Sequence, residues 1–217
     1  VNGDGTADLY HKDTGIWYRG LNAFRDQGEV GTAWFHEAPA HDEIISSRGG
    51  AAGQVAVVRD GPLEAVLRAV IPMRIPRDAA DGTRRSADTL PHDITTFYTV
   101  QKHNPVVSIR TVINNQSLDH WFRVVFPTHI ETTVSCADSH FDVVERPIAV
   151  PPSDDWVERA VGTHPLRTFV DLNDGRCGLS VFSRGLFEYE VLPEEGNPVA
   201  LSLLRAVRIK LLVSEER

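Results

Sequence analysis

From residue 63 to residue 75 the chain alternates. Leu63, Ala65, Leu67, Ala69, Ile71, Met73 and Ile75 share one parity, and Glu64, Arg68 and Arg74 lie on the other. A repeat of two belongs to an extended strand with one buried face, because successive side chains leave a strand on opposite sides. The stretch therefore reads as one long strand. Pro72 has no N–H to donate to a ladder, so it places an edge or a bulge near the strand's end.

The same alternation recurs along the chain, while helical periodicity is almost absent. Residues 94–101 and 106–113 read as the next pair, joined through Lys102, His103, Asn104 and Pro105, and residues 120–127 follow a polar loop at 114–119. Residues 55–58, 132–136, 141–145, 168–172, 178–182, 187–191 and 200–209 supply further strands. Within residues 164–191, two strands flank Asn173-Asp174-Gly175, and Ser183-Arg184-Gly185 leads into a third. That pattern predicts successive antiparallel hairpins. Hairpins are also expected around Asp13-Thr14-Gly15 and at residues 28–31. Residues 77–91 (RDAADGTRRSADTLP) read as an exposed loop, and residues 147–161 as an irregular crossing that Trp156 pins to the body.

Strands so far outnumber helices that the fold class is all-β. The length of the strands favours a large antiparallel β-sandwich over a small immunoglobulin-like one. Similar strands continue across both irregular stretches, so neither is a linker. Residues 1–50 are expected to form an N-terminal β-hairpin region of the same domain, with residues 51–217 as the main β-sandwich.

The chain has 217 residues, 41% hydrophobic and 24% charged, which suits one ordinary globular core. No apolar run approaches the roughly 18 residues of a membrane span. The formal net charge is −8 and the longest basic run is Arg84-Arg85, so no nucleic acid and no membrane surface is expected as a partner. Neutral molecules and other protein surfaces remain. Cys136 and Cys177 are too few for a disulfide scaffold and read as small buried hydrophobes. The amino terminus, VNGDGTADLY, has no signal-peptide pattern and no initiator Met, which suits a piece of a longer polypeptide.

Several clusters carry possible chemistry. The stretch from Asn2 to Asp8 alternates oxygen ligands with glycine as a calcium loop does, but it lacks the first acidic position and the distal Glu, so a turn is the simpler reading. Asp138, His140 and Asp142 would share one face of a continuous strand and could bind a divalent cation; a solvated face is the simpler account. The carboxylate pairs Glu188 with Glu190 and Asp171 with Asp174 are close in sequence, which in a β-protein does not establish a glycosidase pair in space. No Gly-x-Ser-x-Gly, His-Glu-x-x-His or phosphate-cradling glycine loop occurs.

Residues 28–39 (GEVGTAWFHEAP) place Trp34, Phe35 and His36 between glycines and a proline. An exposed Trp34 would give the C–H face of a sugar an apolar platform, and His36 could hydrogen-bond a hydroxyl. The alternative has Trp34 packed inward and His36 capping a turn. Arg184, in its turn, could offer a forked donor pair to hydroxyls or a carboxylate; a solvated turn residue is its plainer reading.

Several pieces taken in order resemble the C-terminal β-domain of glycoside hydrolase family 38, the α-mannosidases and mannosylglycerate hydrolases. They are residues 9–20 followed by Leu21-Asn22-Ala23-Phe24, then residues 28–39, 63–75, 120–128 (HWFRVVFPT), 141–147 (FDVVERP), 164–191 and 201–207 (LSLLRAV). The resemblance implies a galactose-mutarotase-like supersandwich. It further implies an enzyme whose N-terminal catalytic domain holds zinc and an aspartate nucleophile, followed by a three-helix bundle and β-domains. Such an enzyme hydrolyses α-mannosides with retention, through two carboxylates. On this reading the chain holds no catalytic residue, metal ligand or cofactor of its own, and zinc sits in the absent catalytic domain. The partners are the catalytic and helical domains and a mannoside, and the substrate-binding residues are Trp34, His36 and Arg184. An apolar patch is expected where the other domains are missing. A stand-alone carbohydrate-binding module and a mutarotase-like epimerase are the alternatives. The epimerase would need a His acid and a Glu base on one sheet face, with His92, His103, His129 and His164 available. The small number of cysteines leans towards the cytoplasm.

Overall fold

The computed structural model describes residues 1–51, 53–156 and 159–207. Among them there are strands and no helices: β1 (Ala7–His11), β2 (Ile16–Leu21), β3 (Ala23–Gly28), β4 (Ile45–Ser46), β5 (Gln54–Asp60), β6 (Glu64–Pro76), β7 (Thr89–Gln101), β8 (Val107–Val112), β9 (His120–Phe126), β10 (Val134–Asp138), β11 (Val143–Pro147), β12 (Thr163–Pro165), β13 (Phe169–Asn173), β14 (Gly178–Phe182), β15 (Glu188–Val191) and β16 (Val199–Ala206). The all-β expectation holds. The last expected strand runs to residue 209, and Arg208 and Ile209 lie outside the described residues.

The chain divides into two compact units. The first comprises Val1–Ala7, Asn22–Phe122 and Leu204–Arg217, and the second Asp8–Leu21 and Arg123–Leu203. In the first unit, β5-β6-β7-β8 form an antiparallel sheet in sequence order. Its backbone is the β6–β7 ladder, which runs from Glu64↔Gln101 to Pro76↔Thr89. The alternation predicted for β6 places Ala69, Ile71, Met73 and Ile75 in the core while Arg68 and Arg74 stay exposed. Facing residues Ile94 and Tyr98 of β7 are also buried, and Phe24 stacks on Phe122 at 5.6 Å. Tyr98 donates its hydroxyl to the Gly5 carbonyl at 2.7 Å and accepts from Asn22 at 2.8 Å. Burial in this pocket pushes its phenol up to about 12.

Pro72 pairs with Asp93 of β7, whereas the β5 ladder on the other side stops at Gln54↔Val70. The proline therefore sits on a local edge, where its missing N–H costs no ladder bond; the bulge lies in β5, between Val57 and Arg59. The loop expected over residues 77–91 is shorter than predicted, because Thr89, Leu90 and Pro91 pair with Pro76, Ile75 and Arg74. A long partner strand overrides the local turn chemistry. Arg85 pins the rest of this loop by reaching the fully buried Asp26 on β3, whose other oxygen meets His120 Nδ1 at 2.5 Å.

In the second unit, β11-β10-β13-β14 form one antiparallel sheet, and β15 pairs with both β12 and β16. The hairpin at Asn173-Asp174-Gly175 is present: Gly175 adopts φ 83°, and the Asp174 carboxylate accepts the N–H groups of Arg176 and Cys177. The hairpin expected at Ser183-Arg184-Gly185 is not, since β14 ends its sheet and β15 pairs elsewhere. There the turn carries the chain from one set of strands to another, and the Ser183 N–H bonds back to Thr168 at 2.7 Å. The first hairpin of the chain is where expected, with Gly15 at φ 71° between β1 and β2. Trp156 does not pin its crossing, being 55% exposed. Both cysteines are free, and each is half-buried where full burial was expected.

Candidate functional site

After β3 the chain folds back on itself before reaching Pro39. Val30 N–H donates to the Glu37 carbonyl at 2.8 Å and Thr32 N–H to that of Phe35 at 3.1 Å, giving a tight loop with its tip at residues 32–35 rather than a hairpin at 28–31. The Thr32 hydroxyl accepts Trp34 N–H at 3.2 Å. Gly31 is required for space: a Cβ there would stand 2.4 Å from the Phe35 oxygen and 2.7 Å from the Glu37 nitrogen.

Glu29 holds this loop from beneath. Its side chain has 0% exposure. Oε1 accepts the N–H groups of Gly31 at 2.9 Å and Glu37 at 3.3 Å. Oε2 meets His36 Nδ1 at 2.8 Å and accepts Arg205 Nε at 2.9 Å and Nη2 at 2.7 Å. Arg205, on β16, also donates to the Thr32 carbonyl at 3.1 Å, so it ties down the near side of the tip. Burial alone would raise the Glu29 carboxyl, but the hydrogen bonds from His36 and Arg205, with the positive charge of the Arg205 guanidinium, outweigh it and hold the group below its ordinary range.

The His36 ring packs on Trp121 at 4.5 Å between centroids, and its Nε2 lies 2.8 Å from Gln27 Nε2. With the Nδ1 proton directed at Glu29, Nε2 accepts from the Gln27 amide. Both ring nitrogens are thus engaged inside the protein. Trp34 shows the opposite behaviour: at 76% exposed it points outward, with Phe35 beside it at 47%. The arrangement is a rigid loop with an aromatic tip, and its backbone is fastened by a buried ion pair.

Arg184 belongs to the second unit. It is exposed on a turn shaped by Gly185 at φ 78° and by the Ser183 hydroxyl, which donates to the Leu186 carbonyl at 3.0 Å. Trp34 and His36 therefore share one loop of the first unit, and Arg184 stands on a simple turn of the second. Sequence reasoning missed Glu29 and Arg205. The available signal was the acidic residue wedged between Gly28 and Gly31, where a solvated residue would be unremarkable.

The other carboxylates are engaged one by one. Asp4 accepts the N–H and hydroxyl of Thr6 at 3.0 and 2.7 Å, as in an ordinary turn. Asp138, His140 and Asp142 do not share a strand face, because β10 stops at Asp138. Asp138 accepts the N–H groups of Arg167, Thr168 and Phe169 and the Thr168 hydroxyl; His140 meets Arg167, and Asp142 accepts Val143 N–H. Glu188 accepts from Ser202 and Glu190 pairs with Arg123, while Asp171 accepts from Ser180. Among the described residues no three His, Cys, Asp or Glu side chains group to hold a metal.

Comparison with known proteins agrees across sequence and structure. An "alpha-mannosidase from Enterococcus faecalis V583" superposes with a TM-score of 0.87 at 29% identity, over 95% of this chain and 24% of that one. A "Protein in the Glycosyl Hydrolase Family 38 from Enterococcus faecalis" gives 0.83 at 27% identity, over 95% and 25%. A "Putative mannosylglycerate hydrolase" of Halalkalibacterium halodurans is 25% identical over 222 residues, spanning 95% of this chain and 24% of that protein. The chain thus spans about a quarter of the length of these relatives. Residues 6–209 match the family described as "Glycosyl hydrolases family 38 C-terminal domain", and the chain belongs to that family.

Proposed function

We propose that this chain is an accessory, substrate-pocket domain of a zinc-dependent, retaining α-mannosidase-like glycoside hydrolase, and that it hydrolyses nothing alone. The observation that carries the reading is Trp34, 76% exposed on a loop whose backbone is already fixed. A rigid aromatic platform loses little entropy when a sugar stacks on it. His36 acts through the loop, since its ring nitrogens are occupied. Arg184 offers a forked donor that suits hydroxyls or the carboxylate of a mannosylglycerate. The donor set of the described residues does not fit zinc. In this reading the ion and the two carboxylates of retaining hydrolysis belong to another part of the longer polypeptide. The small number of cysteines is consistent with a cytoplasmic enzyme.

The test is hydrolysis of a chromogenic α-mannoside, with added zinc, by this chain and by the longer polypeptide that carries it. Only the longer polypeptide is expected to turn over, and Trp34→Ala in it should lower kcat/KM about tenfold or more, the scale of losing one buried aromatic anchor. Turnover by this chain alone sinks the reading. Mannoside binding by this chain alone, without turnover in either form, favours a carbohydrate-binding module instead.

A further inference from the structure

The outer end of the β5–β8 sheet has two unlike faces. By register, Val57, Leu67, Tyr98 and Ile109 lie side by side, and Ala65, Val100 and Val107 form the row beyond, with Asp60 at its corner as the one charge. Val57 is 65% exposed, Val100 48% and Ile109 38%, and Leu63 in the adjoining turn is 70% exposed. The opposite face carries Arg68, Arg110 stacked over Phe97 at 4.3 Å, and Arg59 bonded to Glu64 at 2.5 Å. That face is built for water. Its partner continues the apolar parity of the core into solvent, where contiguous apolar surface on a free-standing protein is rare.

The mode of contact follows from the edge. β5 is exposed along its whole length and, among the described residues, has β6 as its one neighbour in the sheet. The bulge between Val57 and Arg59, and the charges of Arg59 and Asp60 after it, blunt the addition of another strand. An occupant therefore packs onto the face rather than along the edge. The occupant's identity follows from length: the relatives carry this region as about a quarter of a longer chain. We infer that the apolar end of the β5–β8 sheet is the seat of another domain of that same polypeptide, which presents its own apolar side chains face-on. The inference rests on the accessory-domain reading in one respect, the existence of a longer enzyme, and does not depend on Trp34.

Hydroxyl-radical footprinting of side chains, run on this chain and on the longer polypeptide, tests the inference. Labelling of Val57, Leu63 and Ile109 is expected to be about fivefold lower in the longer polypeptide, with Val112 on the opposite face unchanged. Equal labelling in the two forms overturns the inference. Low labelling in this chain alone, together with a doubled mass by light scattering, assigns the face to a second copy and also overturns it. A Val57→Lys, Ile109→Lys pair changes exposed positions and should fold; in the longer polypeptide it is expected to return Leu63 to the labelling of the isolated chain, and no change there counts against the inference. Mannoside hydrolysis assayed in parallel separates the two ideas. An inactive longer polypeptide with a protected face sinks the mannosidase reading alone, and an active one with an open face sinks this inference alone.

Discussion

Glu29 in the first unit and Asp138 in the second do the same local work with different surroundings. Each uses one carboxylate to gather the N–H groups of a loop, those of Gly31 and Glu37 for Glu29 and those of Arg167, Thr168 and Phe169 for Asp138. Glu29 is fully buried and draws on Arg205 for positive charge and on His36 for a further hydrogen bond. Asp138 is half-buried, and neutral donors suffice for it. A charge removed from water must be matched by an opposite one and by hydrogen bonds, and such partners come from wherever the fold can bring them. A half-buried carboxylate keeps part of its hydration, and neutral donors complete the rest. The Trp34 loop depends on the whole fold of its unit, through a residue 176 positions away in sequence, whereas Asp138 reaches residues 29 to 31 positions away, on the segment that enters the paired strand β13.

Deleting the buried member should have the largest effect. Glu29→Ala leaves Arg205 and two loop N–H groups without their acceptor, and removing one partner of a buried pair costs about 3–5 kcal/mol. Urea denaturation of this chain reads it as a lower midpoint at unchanged slope. A loss below about 1 kcal/mol would mean that the pair behaves like a surface salt bridge, and the comparison would collapse.

Acid probes the same contrast more gently. The Glu29 carboxyl titrates below its ordinary value in the folded chain, so its stabilisation is complete above about pH 4.5 and is lost as the pH falls through the folded value. Protonation leaves the oxygens in place as acceptors, so the loss is smaller than that of deletion. Thermal melts from pH 7 to pH 3 should fall more steeply for the native chain than for Glu29→Gln, which has no carboxyl to titrate. Parallel curves would show that the pair contributes nothing to the acid limb.

These two carboxylates also mark what could be read in the sequence. The alternation of β6 survived into the fold because a strand half-buried along its length imposes period two residue by residue, and Pro72 correctly announced an edge. Trp34 and Gly31 were visible as a bulky aromatic and a tight turn. Glu29 was not, since an acidic residue beside glycine looks like any solvated turn until Arg205 arrives from β16. The turn at Ser183-Arg184-Gly185 looked like a hairpin because its residues permit one; which strand β15 joins is decided by β12 and β16, not by the turn. Local geometry is encoded locally, and pairing partners are not.

Asp138 supplies the smallest effect and the sharpest control. Its carboxyl, nudged up by partial burial, is pulled well below the carboxylate range by the Thr168 hydroxyl and by the three N–H groups. Asp138→Ala should cost about 1 kcal/mol, the scale of losing a cap whose freed N–H groups can turn to water. Asp138→Asn keeps an acceptor oxygen and should recover about half of that. Glu29→Gln keeps an acceptor too, but it removes the charge that Arg205 requires, so it should recover a smaller share of its larger loss. If the amide rescued both sites equally, geometry rather than charge would govern Glu29, and His36 and Arg205 would be bystanders to the loop that carries Trp34.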